Sequence, residues 1–531
     1  MATSPAAVAR RKKFTPPLTG APAAPKEKGP NIGYVRPEIT DLAHKWSLVA
    51  DCLAGQEKVK SKEDLYLPRP NADDTSTENK ARYTAYIARS VFYNVTSRTM
   101  GGLIGQVFSR DPLVELPDVM LPMIDDVDGA GVSLDQQAKL GLARSLGGSG
   151  FGLLVDYPVT SAAISLADQK AGYIRPTITQ YARKDIKNWR FIKRGAKQVL
   201  SLVVIEVNGQ ASDDGFEVSY EQQWRVLELN KEGIYVVTTW RRDVETGEFA
   251  RVAEPISPVD ASGAPFTEIP FYFCGVLNND ATPDEPPMYD LAVLNIAHYR
   301  NSADYEDSCY MVGQPTPYFA GLTEAWVNKV FKAKTIQLGS RAAIPLPVGG
   351  TAGLLQAAPN SMPIEAMRQK EAQMLALGAK IIEPGGGKSG TLGEAQLDES
   401  SESSMLATAA KNVSGAYKLA LTAAGKMYGA ATTALVYSLN TDFPASRLTP
   451  NERTQLLMEW QAGAITETEM RAGLRKAGVA TLDSVEYKAE LIKNPPPQPK
   501  EATNNGGKGG ADNDETKNKD AQNNGGNQNN V

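Results

Sequence analysis

Residues 286–312, PPMYDLAVLNIAHYRNSADYEDSCYMV, read as one long helix, and no other stretch restricts the fold so strongly. At 1.5 Å per residue the helix would extend about 40 Å. Its apolar positions are diluted by Asn295, His298, Asn301, Asp304, Glu306 and Asp307. Four acids (Asp290, Asp304, Glu306 and Asp307) stand against one base, Arg300. Such a helix is expected to avoid a dry core and to be largely solvated or packed against copies of itself. GQPTPYFAGL follows, and its two prolines end the helix abruptly.

A stretch of mixed strand and helix comes next, and a second helix begins at Pro363, a favoured first-turn residue, running through IEAMRQKEAQMLALG. The segment EPGGGKSGTLGEA (383–395) then resembles a phosphate loop at first sight. A phosphate loop needs Gly, four residues, then Gly-Lys-Ser/Thr, so that backbone N–H groups wrap the phosphates. Gly387-Lys388-Ser389 supplies the end, but Ile382 stands where the first glycine belongs. Glu383 adds a carboxylate beside the would-be phosphates, and Pro384 has no N–H to donate. A flexible glycine loop between helices is the better reading, with a nucleotide-hydrolysing loop as its rival. Thr391 and Glu394 form a capping box that would start a third helix, rich in Ala and Ser, about 55 Å long if continuous. Those small residues permit close approach of neighbouring backbones. TALVYSLN is strand-like, and the capping boxes Thr449–Glu452 and Thr466–Glu469 open a helical pair closed by Gly478.

The N-terminal half is helical first. EITDLAHKWSLVADCLAG is one helix, and TENKARYTAYIARSVFYNVTSRTMGGLIGQVFSRDP is another, kept soluble by Arg82, Arg89 and Arg98. From about 189 to 276 the period changes to two. NWRFI, VLSLVVIEV, FEVSYEQQWRVLEL, GIYVVTTWRRD and IPFYFCGV read as an antiparallel meander separated by turn-formers. The fold class is α+β. GGSGFG (147–152) follows a helical pattern and precedes an apolar run, so it is a helix-to-strand turn. A dinucleotide fingerprint needs the reverse order, and Phe151 spoils a nucleophile elbow.

Composition narrows the function classes further. The length suits about three or four domains' worth of core. No apolar run reaches the roughly 18–20 residues of a membrane span. The basic start MATSPAAVARRKK lacks a following apolar region, so no secretory signal is expected. Cys52, Cys274 and Cys309 lack metal-like spacing and read as thiols in a reducing compartment. With only His44 and His298, a three-histidine metal site is impossible. A net charge of −5 argues against gripping nucleic acid with the whole surface, while a local contact stays open. Residues 1–37 and the tail from 494 carry too little apolar content to order themselves and are expected to be disordered. No catalytic residue, metal or cofactor is expected.

The order of these parts, over roughly residues 77–480, resembles the portal proteins of tailed bacteriophages, the head-to-tail connectors. The resemblance rests on NIAHYRNSADYEDSCYMVGQPTPYFAG, LALGAKIIEPGGGKSGTLGEAQ with its following Ser/Ala helix, and LTPNERTQLLMEWQAGAITETEMRAGL. It implies the portal fold: a wing at 38–285 that contains the meander, a first stem helix at 286–312, a small α/β clip at 313–362 and a second stem helix at 363–378. A tunnel loop at 379–391, a long wing helix at 392–430 and a helical crown at 431–493 complete it. The implied function is a ring, usually of twelve subunits, at one capsid vertex, through which double-stranded DNA is packaged and ejected. Implied partners are terminase, which carries the packaging ATPase, the major capsid or scaffolding protein, and a head-tail adaptor, with no membrane. Location would be the virion, after assembly in the host cytoplasm. Lys380, Gly385, Gly386, Gly387, Lys388 and Ser389 would belong to the tunnel loop. Lys329, Lys332, Lys334 and Arg341 of the clip could face terminase and the adaptor, or form a merely solvated face. A ring-forming structural protein with no DNA in its channel is the remaining alternative.

Overall fold

A computed structural model describes residues 31–157, 175–243, 245–260, 263–313, 316–331, 346–355, 361–382, 404–441, 443, 450–476, 479–480, 482 and 484–494. The chain divides into two compact units, Met1–Ala445 and Ser446–Val531. The expected terminal arm and tail lie outside the described residues, except for 31–37 and Asn494. Residues 31–37 are part of the fold: the Arg36 N–H donates to the Lys187 carbonyl at 3.0 Å, and Val35 packs against the apolar core of the first unit.

The first unit opens with helices α1 (Pro37–Ala54), α2 (Gln56–Lys60), α3 (Thr77–Arg89) and α4 (Val95–Val107). The stretch from 77 expected as one helix is therefore two. Ser90 leaves the helical conformation and Asn94 restarts it, accepting the Ser97 N–H at 2.9 Å as an N-cap. After strand β1 (Leu113–Glu115) and the short α5 (Pro122–Asp125), α6 (Leu134–Gly148) begins at a reciprocal Ser133–Gln136 capping box. It turns into strand β2 (Phe151–Asp156) through Ser149, at φ 65°, and Gly150, at φ 117°. A Cβ on Gly150 would sit 2.1 Å from the Cys274 carbonyl oxygen, so only glycine makes this helix-to-strand turn.

Strands β3 (Thr177–Ala182), β4 (Ile186–Arg194), β5 (Lys197–Asp213), β6 (Val218–Leu229), β7 (Tyr235–Arg242), β8 (Phe249–Arg251) and β9 (Phe271–Cys274) follow. The meander is a five-stranded antiparallel sheet in sequence order, β4 to β8. IPFYFCGV, expected as its last strand, joins a different sheet: β9 pairs with β2 in the order β3-β2-β9. Phe271, Phe273 and Cys274 are buried, because β9 lies among two apolar clusters rather than at a solvated edge. One meander face buries Val203, Ile205, Leu227 and Tyr235 with Trp189 and Phe271, and the other buries Val204, Trp224 and Val226. Both faces are dry near the base only. From Asn208↔Gln222 to Asp213↔Val218, β5 and β6 pair with each other alone.

Helix α7 (Tyr289–Gly313), strand β10 (Thr316–Ala320), the single turn α8 (Glu324–Trp326), strand β11 (Thr351–Leu355) and helix α9 (Met362–Ile382) come next. The second helix was expected to end at Gly378, but α9 continues through Lys380 to Ile382. Gly378 does not stop it; the missing Cβ faces the Thr99 side chain of α4, whose methyl would be 3.2 Å away. The Thr391–Glu394 capping box lies outside the described residues. The described third helix, α10 (Met405–Tyr428), is capped by Ser404, which accepts the Ala407 N–H at 3.2 Å. It is the dry centre of the unit. Leu406, Ala409, Ala410, Val413, Ala416, Tyr417, Ala420, Leu421 and Ala424 have no solvent exposure. Strand β12 (Val436–Ser438) pairs antiparallel with β1 beside it.

The second unit holds helices α11 (Pro450–Gln461), α12 (Glu467–Lys476) and α13 (Ser484–Lys493). The Thr466–Glu469 capping box is formed: Glu469 N–H donates to the Thr466 hydroxyl at 3.2 Å, and Thr466 N–H to the Glu469 carboxylate at 2.8 Å. The Thr449–Glu452 box and Gly478 lie outside what is described. Gly473 lets α12 approach Leu456 of α11, and Arg471 stacks on Tyr487 of α13 at 3.2 Å. The chain is α+β.

Candidate functional site

Helix α7 enters the body of the protein, contrary to the expectation that its polar residues keep it out of a core. Its buried residues are Leu291, Ala292, Asn295, Ile296, His298, Tyr299, Ser302 and Ala303, one stripe at helical spacing that carries both kinds of side chain. Asn295, Tyr299 and Ser302 are paid for by partners from the break between α3 and α4, whereas His298 meets Glu371 of α9 through Nε2 and its buried Nδ1 has no hydrogen-bond partner. Asn295, fully buried, accepts from the Thr96 N–H at 3.1 Å and its hydroxyl at 2.9 Å, and donates to the Tyr93 carbonyl at 2.8 Å. Ser302 accepts the Val91 N–H at 3.1 Å. The Ser90 hydroxyl and the Tyr299 hydroxyl meet at 3.1 Å. The groups that the helix break sets free are thus the groups that α7 binds.

Further along, the Tyr86 hydroxyl donates to Asp304 at 2.5 Å, and Arg89 pairs with Asp307. Burial and that bond push the Tyr86 phenol well above its usual range. Arg89, expected to be a solvated residue, is therefore an anchor. The Arg300 Nε donates to the Tyr66 carbonyl at 2.8 Å.

Helix α9 runs back along α7. His298 Nε2 lies 3.2 Å from Glu371, while Tyr305, two turns on, lies beside Arg368, so the pair is antiparallel. The Arg89 guanidinium also lies 4.2 Å from the Tyr310 ring, and beyond it the helix is open to solvent, with Cys309, Tyr310 and Met311 exposed. Met362 at the start of α9 is exposed too. Between the helices, β10 and β11 form an antiparallel ladder from Thr316↔Leu355 to Ala320↔Thr351. Tyr318, which covers Gly353, is half-exposed, and Leu354 and Leu355 are mostly exposed.

Of the residues expected to act, Lys380 lies in the last turn of α9. Lys329 is exposed on the helical turn Val327–Phe331. Gly385, Gly386, Gly387, Lys388, Ser389, Lys332, Lys334 and Arg341 lie outside the described residues. The structure brings no two of these ten together among the described residues. Asn295, His298, Asp304 and Asp307, four of the residues that dilute the apolar pattern, attach the helix rather than expose it, and Ser302, which the sequence did not single out, joins them. The stripe spacing held that signal. Among the described residues no group of three or more His, Cys, Asp or Glu could hold a metal, and no helix is long and apolar enough to cross a membrane. Cys52 and Cys274 are buried, which pushes the Cys52 thiol up to about 12 and raises Cys274 as well.

A domain of unknown function, DUF4055, matches residues 287–426, which span α7 to α10. No curated protein matches the chain. Among solved structures the chain is similar to one described as the neck of an empty GTA particle computed with C6 symmetry. That likeness has 14% identity and a TM-score of 0.35, and covers 75% of this chain and 94% of the other.

Proposed function

We propose that the chain is a portal subunit. Copies form a closed ring at one capsid vertex, DNA passes through the ring's channel during packaging and ejection, and terminase and tail or adaptor proteins dock on it. The observation that carries this reading is the arrangement of residues 289–428: a rooted helix, a small exposed sheet, an antiparallel return helix and a third, dry helix. The portal resemblance implies the same succession of first stem helix, clip, second stem helix and wing helix. Exposed Tyr310, Met311, Leu354, Leu355 and Met362 at the far end of the pair support packing against copies. The acid excess of α7 suits a conduit, since many cation–phosphate contacts would hold DNA rather than let it slide. Lys380, in the last turn of α9, and Lys388, further along the chain, would supply weak contact. In this reading nucleotide hydrolysis belongs to terminase, and the Gly385–Ser389 run serves as a channel loop.

Electron-microscopy averages of the purified protein test the proposal. Expected are closed rings, of twelve subunits if the resemblance holds, with a channel of DNA width. Monomers or dimers only, at concentrations and salt where the protein is folded, would overturn it. A ring too narrow for duplex DNA would leave a structural ring alone. A purified ATPase activity abolished by Lys388→Ala would establish the nucleotide reading instead.

A further inference from the structure

Residues 31–36 cross the meander towards the point where the β5–β6 hairpin leaves it. The Arg36 N–H binds the Lys187 carbonyl on β4, whereas Ile32 packs with Val204, Trp224 and Val226. A Cβ on Gly33 would sit 2.8 Å from the Phe249 ring. Phe249 pairs with Arg242, one residue past the Gln223↔Arg241 pair, so it stands level with Gln222. Beyond Gln222 the hairpin projects as two strands alone. The segment that precedes Asn31 thus joins the fold at the root of that projection.

One face of the hairpin continues the face that Ile32 covers. Alternate residues of a strand share a face, so Trp224, Tyr220 and Val218 of β6 lie on one side. Trp224 is 6% exposed, with Ile32 and Phe249 packed around it, but Tyr220 is 67% exposed and Val218 37%. A two-stranded hairpin is marginally stable in water and gains from a cover. Its edge is acidic as well. Asp213, Asp214, Glu217 and Glu221 lie along it, and no Lys or Arg occurs from 208 to 222. Arg241 at the root, 3.8 Å from Glu221, is the one cation paired with these acids among the described residues. The turn itself is held by Asp213 and Asp214, which accept the N–H groups of Gly215, Phe216 and Glu217. The segment before Asn31 is the converse: Arg10, Arg11, Lys12, Lys13, Lys26 and Lys28 stand against Glu27.

We propose that residues 25–30 of the same chain lie along this face of the hairpin. Pro30 covers Tyr220 and Pro25 covers Val218, with Lys28 beside Glu221 and Lys26 beside Glu217. Extended at about 3.3 Å per residue, residues 25–30 span about 20 Å, the length of hairpin from Gln222 to the Phe216 turn. Proline rings in an extended chain are a low-entropy match for an exposed aromatic face. The tether holds the segment at an effective concentration of millimolar order, so even a weak contact is populated. Arg10–Lys13 reach Asp213 and Asp214 through the spacer 14–24. The contact is intramolecular and does not rest on the ring reading.

Zero-length carbodiimide cross-linking of the full chain tests the contact, with peptides read by mass spectrometry in a mixture of isotope-labelled and unlabelled chains. Links from Lys26 or Lys28 to Glu217 or Glu221 are expected, always between peptides carrying the same label. Links between differently labelled peptides would give the hairpin to a neighbouring copy and overturn the proposal, as would the absence of these links. A second measurement is chymotrypsin cleavage after Phe216 and Tyr220. Reversing both lysines, Lys26→Glu with Lys28→Glu, is expected to speed that cleavage roughly fivefold, since two exposed ion pairs become repulsive. Adding Glu217→Lys, at an exposed position, is expected to recover part of the protection. Unchanged cleavage on reversal, or no recovery with Glu217→Lys, would overturn the proposal.

Discussion

Helices α7 and α10 are almost equal in length, 25 and 24 residues, and both are buried, yet by opposite means. Helix α10 buries small apolar residues, and apolar burial is non-directional, roughly proportional to area. Helix α7 buries Asn295, His298 and Ser302 among its apolar neighbours, and each of its hydrogen bonds has one geometry. Sliding or rotating α7 would break all of them together, whereas α10 could repack locally at modest cost. A helix that leaves the protein body needs a root that fixes its direction, and a polar seam supplies that where an alanine face would not.

The comparison yields three predictions. The largest effect is expected from Leu421→Ala in α10, which removes apolar volume from a site with no exposure. It should destabilise the first unit by about 2–5 kcal/mol in urea denaturation. Asn295→Leu in α7 is the sharper experiment. The change adds apolar surface to a buried position, yet it leaves the Thr96 N–H and hydroxyl without Asn295 as their acceptor. A loss of about 1–3 kcal/mol is expected, and a neutral or stabilising result would mean that α7 is held as α10 is. The smallest effect lies outside both helices. The Glu469 carboxyl is held below its usual range by the Thr466 N–H and hydroxyl. A depressed folded value means that the cap contributes above the ordinary carboxylate range and is lost as pH falls through the lowered one. Hydrogen-exchange protection of the Glu469 amide should therefore drop at acid pH, and in Thr466→Ala it should be low and flat with pH.

Much of this was legible in advance, and the misses share one cause. The period-two stretch, the alanine-rich helix and the Thr466–Glu469 cap follow from local pattern, and the structure contains them. The polar content of α7 predicted exposure because a sequence shows a side chain but not its partner. Here the partners come from Ser90–Thr96, some 200 residues earlier in the chain. The same blindness joined α3 to α4, since α7 supplies acceptors for the Val91 and Thr96 N–H groups of the break beside the local Asn94 cap. It also assigned β9 to the meander, because apolar alternation does not say which sheet a strand enters. For the candidate site, Lys380 was placed in a loop although no residue of 378–382 terminates α9.

The three cysteines have a practical consequence. Cys52 and Cys274 are sealed in the core as poorly ionised thiols, while Cys309 stands exposed near the end of α7. A maleimide dye added to the unmodified protein should therefore label one position per chain. In an assembled ring those dyes would lie at one height, close enough for energy transfer between neighbours. Stepwise photobleaching of single particles would count the subunits directly, and the rise of energy transfer on mixing would time their assembly.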